Sequence, residues 1–85
     1  MSNLRIKNQV EEFVSRNLSK DSGILNEGVV SVEYLSESTY VGYVDDENRK
    51  QGKGVYRYSN DDLYCGEWKD DLFHGNGAYL FANGT

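Results

Sequence analysis

The 85-residue sequence contains no proline and only one cysteine, Cys65. A single thiol cannot form an internal disulfide, and one cysteine with one histidine cannot supply the four ligands of a structural zinc site. These absences argue against a disulfide-rich secreted scaffold and favour a reducing compartment. No apolar run approaches the core of a signal peptide (about 7 residues or more) or a membrane-crossing helix (about 20 residues), so we expect a soluble protein.

Basic residues are also scarce beyond the first twenty positions. Residues 21–85 carry five basic and twelve acidic side chains, a net charge of −7, whereas residues 1–20 carry four and two, a net charge of +2. Phosphate backbones and anionic lipids attract clustered lysine and arginine, so the sequence predicts no nucleic-acid partner and disfavours direct membrane binding. The basic start resembles a transit peptide, but Glu11 and Glu12 argue against one because such peptides are poor in acids.

The sequence offers few groups for catalysis. Cys65 and His74 are the only thiol and imidazole, and a nucleophilic pair would also need an orienting group and a pocket. Adjacent aspartates at 45–46, 61–62 and 70–71 lack the spaced ligand pattern of a calcium loop and are typical of solvated turns. The sequence therefore predicts a protein that is not an enzyme and needs neither cofactor nor metal.

An apolar stripe at helical spacing runs through residues 1–22. Its members are Leu4, Val10, Phe13, Val14 and Leu18. The spacing predicts an amphipathic N-terminal helix, capped by Ser2 or Asn3 and ended by Ser22-Gly23. We expect the stripe to pack on the rest of the chain. The alternative is a dimerisation or docking helix for another protein.

Beyond Gly28 the apolar period changes from that of a helix to that of a strand. Short polar turns separate five β-rich runs, which are Val29–Leu35, Thr39–Val44, Val55–Ser59, Leu63–Trp68 and Ala78–Ala82. Strands joined by such short connections are antiparallel neighbours, because a parallel crossover needs a dozen or more residues. The sequence thus predicts a mostly β fold: a single-layer antiparallel meander over residues 28–85, preceded by one helix.

Two copies of a pattern of about 23 residues occupy the second half of the chain. Tyr40-Val41-Gly42 recurs as Tyr64-Cys65-Gly66, Gly52-Lys53-Gly54 recurs as Gly75-Asn76-Gly77, and Tyr56 and Tyr58 recur as Tyr79 and Phe81. The Gly-x-Gly pairs permit a sharp turn or bulge between hairpin strands, and no third glycine opens a helix as a nucleotide-binding loop requires. Each copy is therefore expected to form one hairpin.

This pattern resembles the MORN (membrane occupation and recognition nexus) repeat. The clearest copy joins Tyr64-Cys65-Gly66-Glu67-Trp68 to the segment from His74 to Phe81. The resemblance covers residues 40–85, and residues 28–34 form a possible degenerate half repeat. In the first copy Val44 and Gln51 stand where Trp68 and His74 stand in the second.

Strand alternation places the repeated aromatic residues on one face of the sheet. Tyrosine and tryptophan dominate binding hot spots, so this face is the predicted partner-binding site. We expect rings from neighbouring strands to lie across Gly42 and Gly66. The predicted site residues are Tyr40, Tyr56, Tyr58, Tyr64, Trp68, Tyr79 and Phe81.

The resemblance implies a cytoplasmic scaffold or adaptor in a larger cytoskeletal or ciliary assembly. The expected partner is a protein that supplies a helix or extended peptide to the aromatic residues, or a strand to the edge at residues 78–82; a homodimer is also possible. Two alternatives remain open, a module that associates with phosphoinositide membranes and the non-catalytic front part of a larger enzyme. The second alternative arises because the sequence stops at Asn83-Gly84-Thr85, where another Tyr-x-Gly strand would be expected.

Overall fold

The computed structural model describes residues 2–21 and 24–83, with one helix and seven strands. Helix α1 is Ser2–Asn17, followed by the short strands β1 (Ser19–Asp21) and β2 (Ile24–Leu25). The main sheet contains β3 (Val29–Glu33), β4 (Thr39–Val44), β5 (Lys50–Arg57), β6 (Leu63–Lys69) and β7 (Leu72–Leu80). Its five strands follow chain order and every pair is antiparallel. The predicted fold class, a β-meander preceded by one helix, is confirmed.

Helix α1 ends earlier than predicted. Its last helical hydrogen bond runs from the Leu18 amide to the Val14 carbonyl, and the Asn17 side-chain amide donates to the Phe13 carbonyl. The Leu18 carbonyl accepts instead from the Asn26 amide, which joins the end of the helix to the chain after β2. The helix is thus replaced by β1 before it reaches Ser22-Gly23, which lies outside the described residues, as does the side chain of Leu4.

The helix packs on one face of the sheet, which we call the helix face. Leu18 is fully buried there with Val55 and Cys65, and the stripe residues Val10, Phe13 and Val14 pack around them. Burying an apolar side chain of this size contributes about 1.5–3 kcal/mol, so the stripe stabilises the chain itself. The expectation that the stripe packs on the rest of the chain is confirmed for these residues.

Strands β5 and β7 begin five or six residues earlier than predicted. The predicted strands Val55–Ser59 and Ala78–Ala82 are in fact Lys50–Arg57 and Leu72–Leu80. The reason is that each Gly-x-Gly pair forms a bulge inside the strand instead of the turn between strands. Turning is done by other residues: Asp70 and Asp71 both have positive φ angles (53° and 70°), as a tight two-residue hairpin turn requires.

The bulges repeat in the two hairpins. Between the pairs Gly42↔Gly54 and Val44↔Lys50, β5 has two residues more than β4. Between Gly66↔Gly77 and Glu67↔His74, β7 likewise has two residues more than β6. Gly52 and Gly75 lie in these bulges with φ angles of 70° and 55°, a conformation that glycine adopts without strain.

Candidate functional site on the aromatic face

The face of the sheet opposite α1, which we call the aromatic face, has its own core. Tyr40, Tyr64 and Trp68 are buried there, and Tyr34, Val44, Tyr56 and Tyr58 pack around them. The division of side chains between this face and the helix face follows the alternation predicted from the sequence. One sheet therefore separates two apolar clusters, and among the described residues a helix covers the helix face alone.

Two tyrosines lie along their own strands across paired glycines. The Tyr40 hydroxyl donates to the Tyr43 carbonyl at 2.7 Å, and the Tyr64 hydroxyl donates to the Glu67 carbonyl at 3.2 Å. A Cβ atom on Gly54 would collide with the Tyr40 ring, and one on Gly77 would collide with the Tyr64 ring.

The prediction that rings from neighbouring strands cover Gly42 and Gly66 is therefore wrong in one respect. Each ring comes from the same strand as the glycine, two residues earlier, because its hydroxyl reaches a carbonyl at the bulge.

Trp68 lies at the centre of the aromatic face and is only 4% exposed. Its ring centroid lies 5.0 Å from Tyr64, 5.2 Å from Phe73, 5.8 Å from Tyr40 and 5.9 Å from Tyr56, with edge-to-face geometry in all four pairs. The indole Nε1 donates to the Gly54 carbonyl at 3.2 Å. Trp68 thus connects the second hairpin to the first.

Lys50 extends into the same cluster of rings. Its Nζ atom lies 5.1 Å from the Tyr56 ring centroid, 5.2 Å from that of Trp68, and 5.7 and 5.8 Å from those of Tyr34 and Tyr40. The ammonium also lies 3.3 Å from an Asp71 carboxylate oxygen, and the side chain is 15% exposed. Cation–π attraction and this ion pair together hold a charged group at the border of an apolar cluster.

The predicted site residues differ in how much of them a partner could touch. Tyr40 is fully buried, Tyr64 and Trp68 are nearly so, and Tyr56 and Tyr58 are half-buried. Only Tyr79 and Phe81, 39% and 48% exposed, present large ring surfaces to solvent. The structure therefore separates the predicted set into an internal core and an accessible rim, and binding by the rim stays a prediction.

Two accessible apolar residues were missed by the sequence analysis. Leu72 and Phe73 are 68% and 53% exposed, and Phe73 stacks on Tyr64 with centroids 4.2 Å apart. They were missed because residues 70–77 were assigned to a turn. The repeat itself contains a signal for Phe73. Phe73 lies four residues before Gly77, and Lys50 lies four residues before Gly54, so the two residues occupy equivalent positions in the two copies.

A shallow pocket opens beside Trp68 on this face. It has a volume of about 270 Å³ and is lined by Tyr56, Tyr58, Trp68 and Phe73, with Lys50 and Asp71 at its border. Its walls are mostly aromatic, which is typical of a site that accepts an apolar side chain. The pocket is a concavity that this face offers to a partner.

Asp62 fixes one end of the aromatic rim. Its carboxylate accepts hydrogen bonds from the Ala82 amide at 2.8 Å and from the Tyr79 hydroxyl at 2.9 Å. The hydrogen bond from the Ala82 amide is the main reason why the pKa of Asp62 lies below its usual value, and the hydrogen bond from the Tyr79 hydroxyl lowers it further. An ionised Asp62 at neutral pH therefore holds the Tyr79 ring near Tyr58, with the two centroids 5.6 Å apart.

The thiol and the imidazole lie away from the aromatic face. Cys65 is buried on the helix face, and burial raises the pKa of its thiol to about 11. At neutral pH the group is a protonated thiol, whereas catalytic cysteines need a thiolate. His74 was expected in the hairpin connection but lies in β7 opposite Glu67.

Within residues 2–21 and 24–83, no three histidine, cysteine, aspartate or glutamate side chains lie close enough to hold a metal ion. In the same part of the chain, no helix has the length and apolar character needed to cross a bilayer.

Comparison with known families agrees with the repeated hairpins. The family model of the MORN repeat matches residues 46–63 and 64–85. The chain carries two adjacent MORN repeats. The MORN repeat is generally a non-enzymatic module, and it often takes part in protein or membrane interactions. A comparison with curated proteins gives no match.

The β3–β4 pair continues the MORN pattern toward the N-terminus. Val32 lies opposite Tyr40 and Val30 opposite Gly42, as Tyr56 lies opposite Tyr64 and Gly54 opposite Gly66. β3 therefore has the same place beside β4 that β5 has beside β6. This register is what a degenerate half repeat would produce.

Proposed function

We propose that this protein is a non-catalytic interaction module that binds a protein partner on the rim of its aromatic face. The observation that carries the proposal is the exposure of Phe73, Tyr79 and Phe81 beside a pocket with aromatic walls. Exposed aromatic side chains grouped around a concavity are typical of protein-binding surfaces. A helix or an extended peptide is the partner shape that suits a shallow, elongated face of this kind.

The opposite face supports this choice by being occupied. Helix α1 packs over Val55 and Cys65, and its stripe residues are used there. A partner that binds the aromatic face meets the exposed rings of Phe73, Tyr79 and Phe81. The proposed binding residues are the accessible rim, whereas Tyr40, Tyr64 and Trp68 support the rim from beneath.

Charge favours a protein partner over a lipid surface. Residues 21–85 carry a net charge of −7, and the turns at 45–47, 61–62 and 70–71 contribute seven of the acidic side chains. Electrostatic binding to anionic membranes normally uses four to eight clustered basic residues, each contributing about 1 kcal/mol. Four of the five basic residues in this segment are paired with acidic residues: Arg49 with Asp45, Lys50 with Asp71, Lys53 with Glu67 and Arg57 with Asp61.

The state of Cys65 supports a non-catalytic role. A thiol that is buried under a helix and protonated at neutral pH is a poor nucleophile. We place the module in the cytoplasm, as a component of a cytoskeletal or ciliary assembly, on the MORN resemblance alone.

The proposal is tested by co-purification from the source cells followed by mass spectrometry. Tagged wild type is compared with Phe81→Ala and with Leu35→Ala, a matched control because Leu35 is fully exposed at the distant β3–β4 turn. We expect one partner to be depleted at least about tenfold with Phe81→Ala and retained with Leu35→Ala. Equal recovery with all three proteins, or loss with Leu35→Ala alone, would move the site away from the aromatic face.

A further inference from the structure

The Lys50 ammonium occupies a site that is built from four aromatic rings. Its Nζ atom lies within 5.8 Å of all four ring centroids, and an Asp71 carboxylate oxygen 3.3 Å away balances its charge. The rings belong to Tyr34, Tyr40, Tyr56 and Trp68. Several rings around one ammonium are the arrangement by which proteins recognise quaternary ammonium ligands. We call these rings and Asp71 the cation site, and in the free protein its occupant is the chain's own lysine.

Asp71 is held at the cation site by backbone contacts that do not need the Lys50 ammonium. Its carboxylate accepts a hydrogen bond from the Lys50 amide at 2.6 Å, and its own amide donates to the Lys50 carbonyl at 3.1 Å. The carboxylate would therefore stay beside the rings if the Lys50 side chain left them.

A primary ammonium is a poorly matched occupant of this site. The group has three N–H donors, and among the described residues the Lys50 ammonium makes one hydrogen bond, to Asp71. The side chain is 15% exposed, so most of the hydration that a primary ammonium has in water is lost. A quaternary ammonium carries the same charge and has no N–H donor to leave unpaired. The rings therefore suit a quaternary ammonium better than they suit Lys50.

A ligand can reach the cation site through the pocket beside Trp68. Tyr56 and Trp68 are the two rings nearest the ammonium, at 5.1 and 5.2 Å, and both also line this pocket of about 270 Å³. Lys50 and Asp71 line it as well. A side chain that enters the pocket therefore meets the rings and the carboxylate that hold Lys50.

Charge around the pocket favours a cation on an uncharged stem. Asp70 and Asp71 form the turn beside it, with side chains 54% and 47% exposed, and residues 21–85 carry a net charge of −7. Trimethylated lysine offers a quaternary ammonium on an alkyl stem. A phosphatidylcholine headgroup offers the same cation next to a phosphate, which the two aspartates would repel. A protein is therefore a better source of the cation than a lipid.

We propose that the cation site binds a trimethylated lysine side chain of a partner protein, which displaces the Lys50 ammonium. In the complex the trimethylammonium group contacts Tyr56 and Trp68 beside Asp71, and the Lys50 ammonium returns to water. In the free protein Lys50 lowers the apparent affinity for the partner, because the ligand must compete with a tethered cation. This proposal rests on the proposed function, of which it names the partner chemistry.

Fluorescence of Trp68, the only tryptophan in the chain, measures binding at the site. The probes are acetyl-trimethyllysine amide and its neutral isostere, in which carbon replaces the charged nitrogen. We expect a saturable change in the fluorescence of the wild-type protein at millimolar trimethyllysine. The isostere should bind at least about tenfold more weakly, because it lacks the attraction between a cation and the rings.

Protein variants test the two charges of the site. Lys50→Ala removes the competing ammonium and keeps the backbone contacts with Asp71, so it should bind trimethyllysine about tenfold more tightly than wild type. Adding Asp71→Asn to Lys50→Ala removes the balancing charge and should weaken binding about tenfold. Leu35→Ala is the control and should bind as wild type does. Circular dichroism checks that each variant is folded.

Displacement is measured on the wild-type protein, so it does not depend on the folding of any variant. Acetylation of lysines by acetic anhydride is followed by mass spectrometry with and without saturating trimethyllysine amide, which has no free amine. We expect acetylation of Lys50 to rise at least about tenfold, because the released amine is exposed. Acetylation of Lys69, an exposed lysine of the same sheet, should not change.

Several results would overturn the proposal. They are the absence of a saturable change in wild type at millimolar trimethyllysine, equal affinity for the neutral isostere, and acetylation of Lys50 that bound trimethyllysine does not alter. Cosedimentation with phosphatidylcholine vesicles that trimethyllysine reverses would assign the site to a lipid headgroup instead. Failure here is separable from failure of the proposed function. A partner that depends on Phe81 in co-purification, with no trimethyllysine binding, would keep the module and exclude the methylated lysine.

Discussion

Trp68→Ala is expected to act on folding before it acts on binding. The side chain is 4% exposed, its ring meets four other rings, and Nε1 donates to the Gly54 carbonyl. Replacing a buried tryptophan by alanine costs about 3–5 kcal/mol. Leaving the Gly54 carbonyl without this donor adds about 1 kcal/mol. We therefore expect the free energy of unfolding to fall by about 4–6 kcal/mol.

This loss is large for a chain of 85 residues. At about 0.05–0.15 kcal/mol per residue, the whole domain is stabilised by about 4–13 kcal/mol. Trp68→Ala would thus unfold a protein at the low end of that range, and a protein in the middle of the range would lose about half of its stability. A partner lost with this variant would not identify Trp68 as a contact residue.

Urea denaturation followed by far-ultraviolet circular dichroism measures the change. The controls are Trp68→Phe, which keeps a ring and loses the hydrogen bond, and Phe81→Ala, which removes a ring that is 48% exposed. We expect about 1–2 kcal/mol for the first control and less than about 1 kcal/mol for the second. A loss below about 1 kcal/mol for Trp68→Ala, or a loss equal to that of Phe81→Ala, would refute the role of Trp68 as the centre of this core.

Three further predictions follow from other contacts. Gly54→Ala should destabilise the protein by about 2 kcal/mol or more in urea denaturation, because the added Cβ collides with the Tyr40 ring. Lys53→Ala is the control, and equal stability of the two variants would contradict the prediction. Cys65 should react slowly with Ellman's reagent up to about pH 9 in the folded protein and rapidly in urea, because the pKa of the thiol is about 11 when folded and near 9 when unfolded. Fast reaction of the folded protein at pH 8 would show that the thiol is not buried. Cosedimentation with phosphoinositide vesicles at physiological salt should show no binding, because residues 1–20 have a net charge of only +2. Salt-sensitive binding would favour the membrane alternative if charge reversal of the four basic residues abolished it; these are Arg5, Lys7, Arg16 and Lys20.

The pH dependence of stability gives the Cys65 prediction a second readout. The raised pKa means that the unfolded state loses its proton first, so stability falls as pH rises from about 9 to about 11. Cys65→Ala removes this contribution, and its stability should fall less than that of wild type over the same interval. An equal fall in both proteins would assign the effect to the tyrosines instead.

The sequence predicted the features that depend on local periodicity. Alternation along each strand assigns Val55 and Cys65 to one face and Tyr56 and Tyr64 to the other, because successive side chains in a strand point in opposite directions. The helical stripe predicts that Val14 and its neighbours pack on the sheet, and the structure places them there.

Strand boundaries were predicted less well because a glycine pair has two interpretations. Gly52 and Gly54 permit either a turn or a bulge, and both need the same backbone freedom. The choice is made by the partner strand, since Val44 pairs with Lys50 and extends β5 beyond the bulge. The same pairing in the second hairpin brings Phe73 onto the aromatic face.

What the sequence by itself determined is the repeat, the face of the sheet to which each ring belongs and the presence of one amphipathic helix, because these depend on the spacing of side chains along the chain. Only the tertiary structure decided which rings are buried. Tyr56 and Tyr79 occupy equivalent positions, yet Tyr56 lies beneath Trp68 of the next strand and Tyr79 remains 39% exposed. Burial depends on what packs over a residue from elsewhere in the fold, and that information is absent from the local pattern.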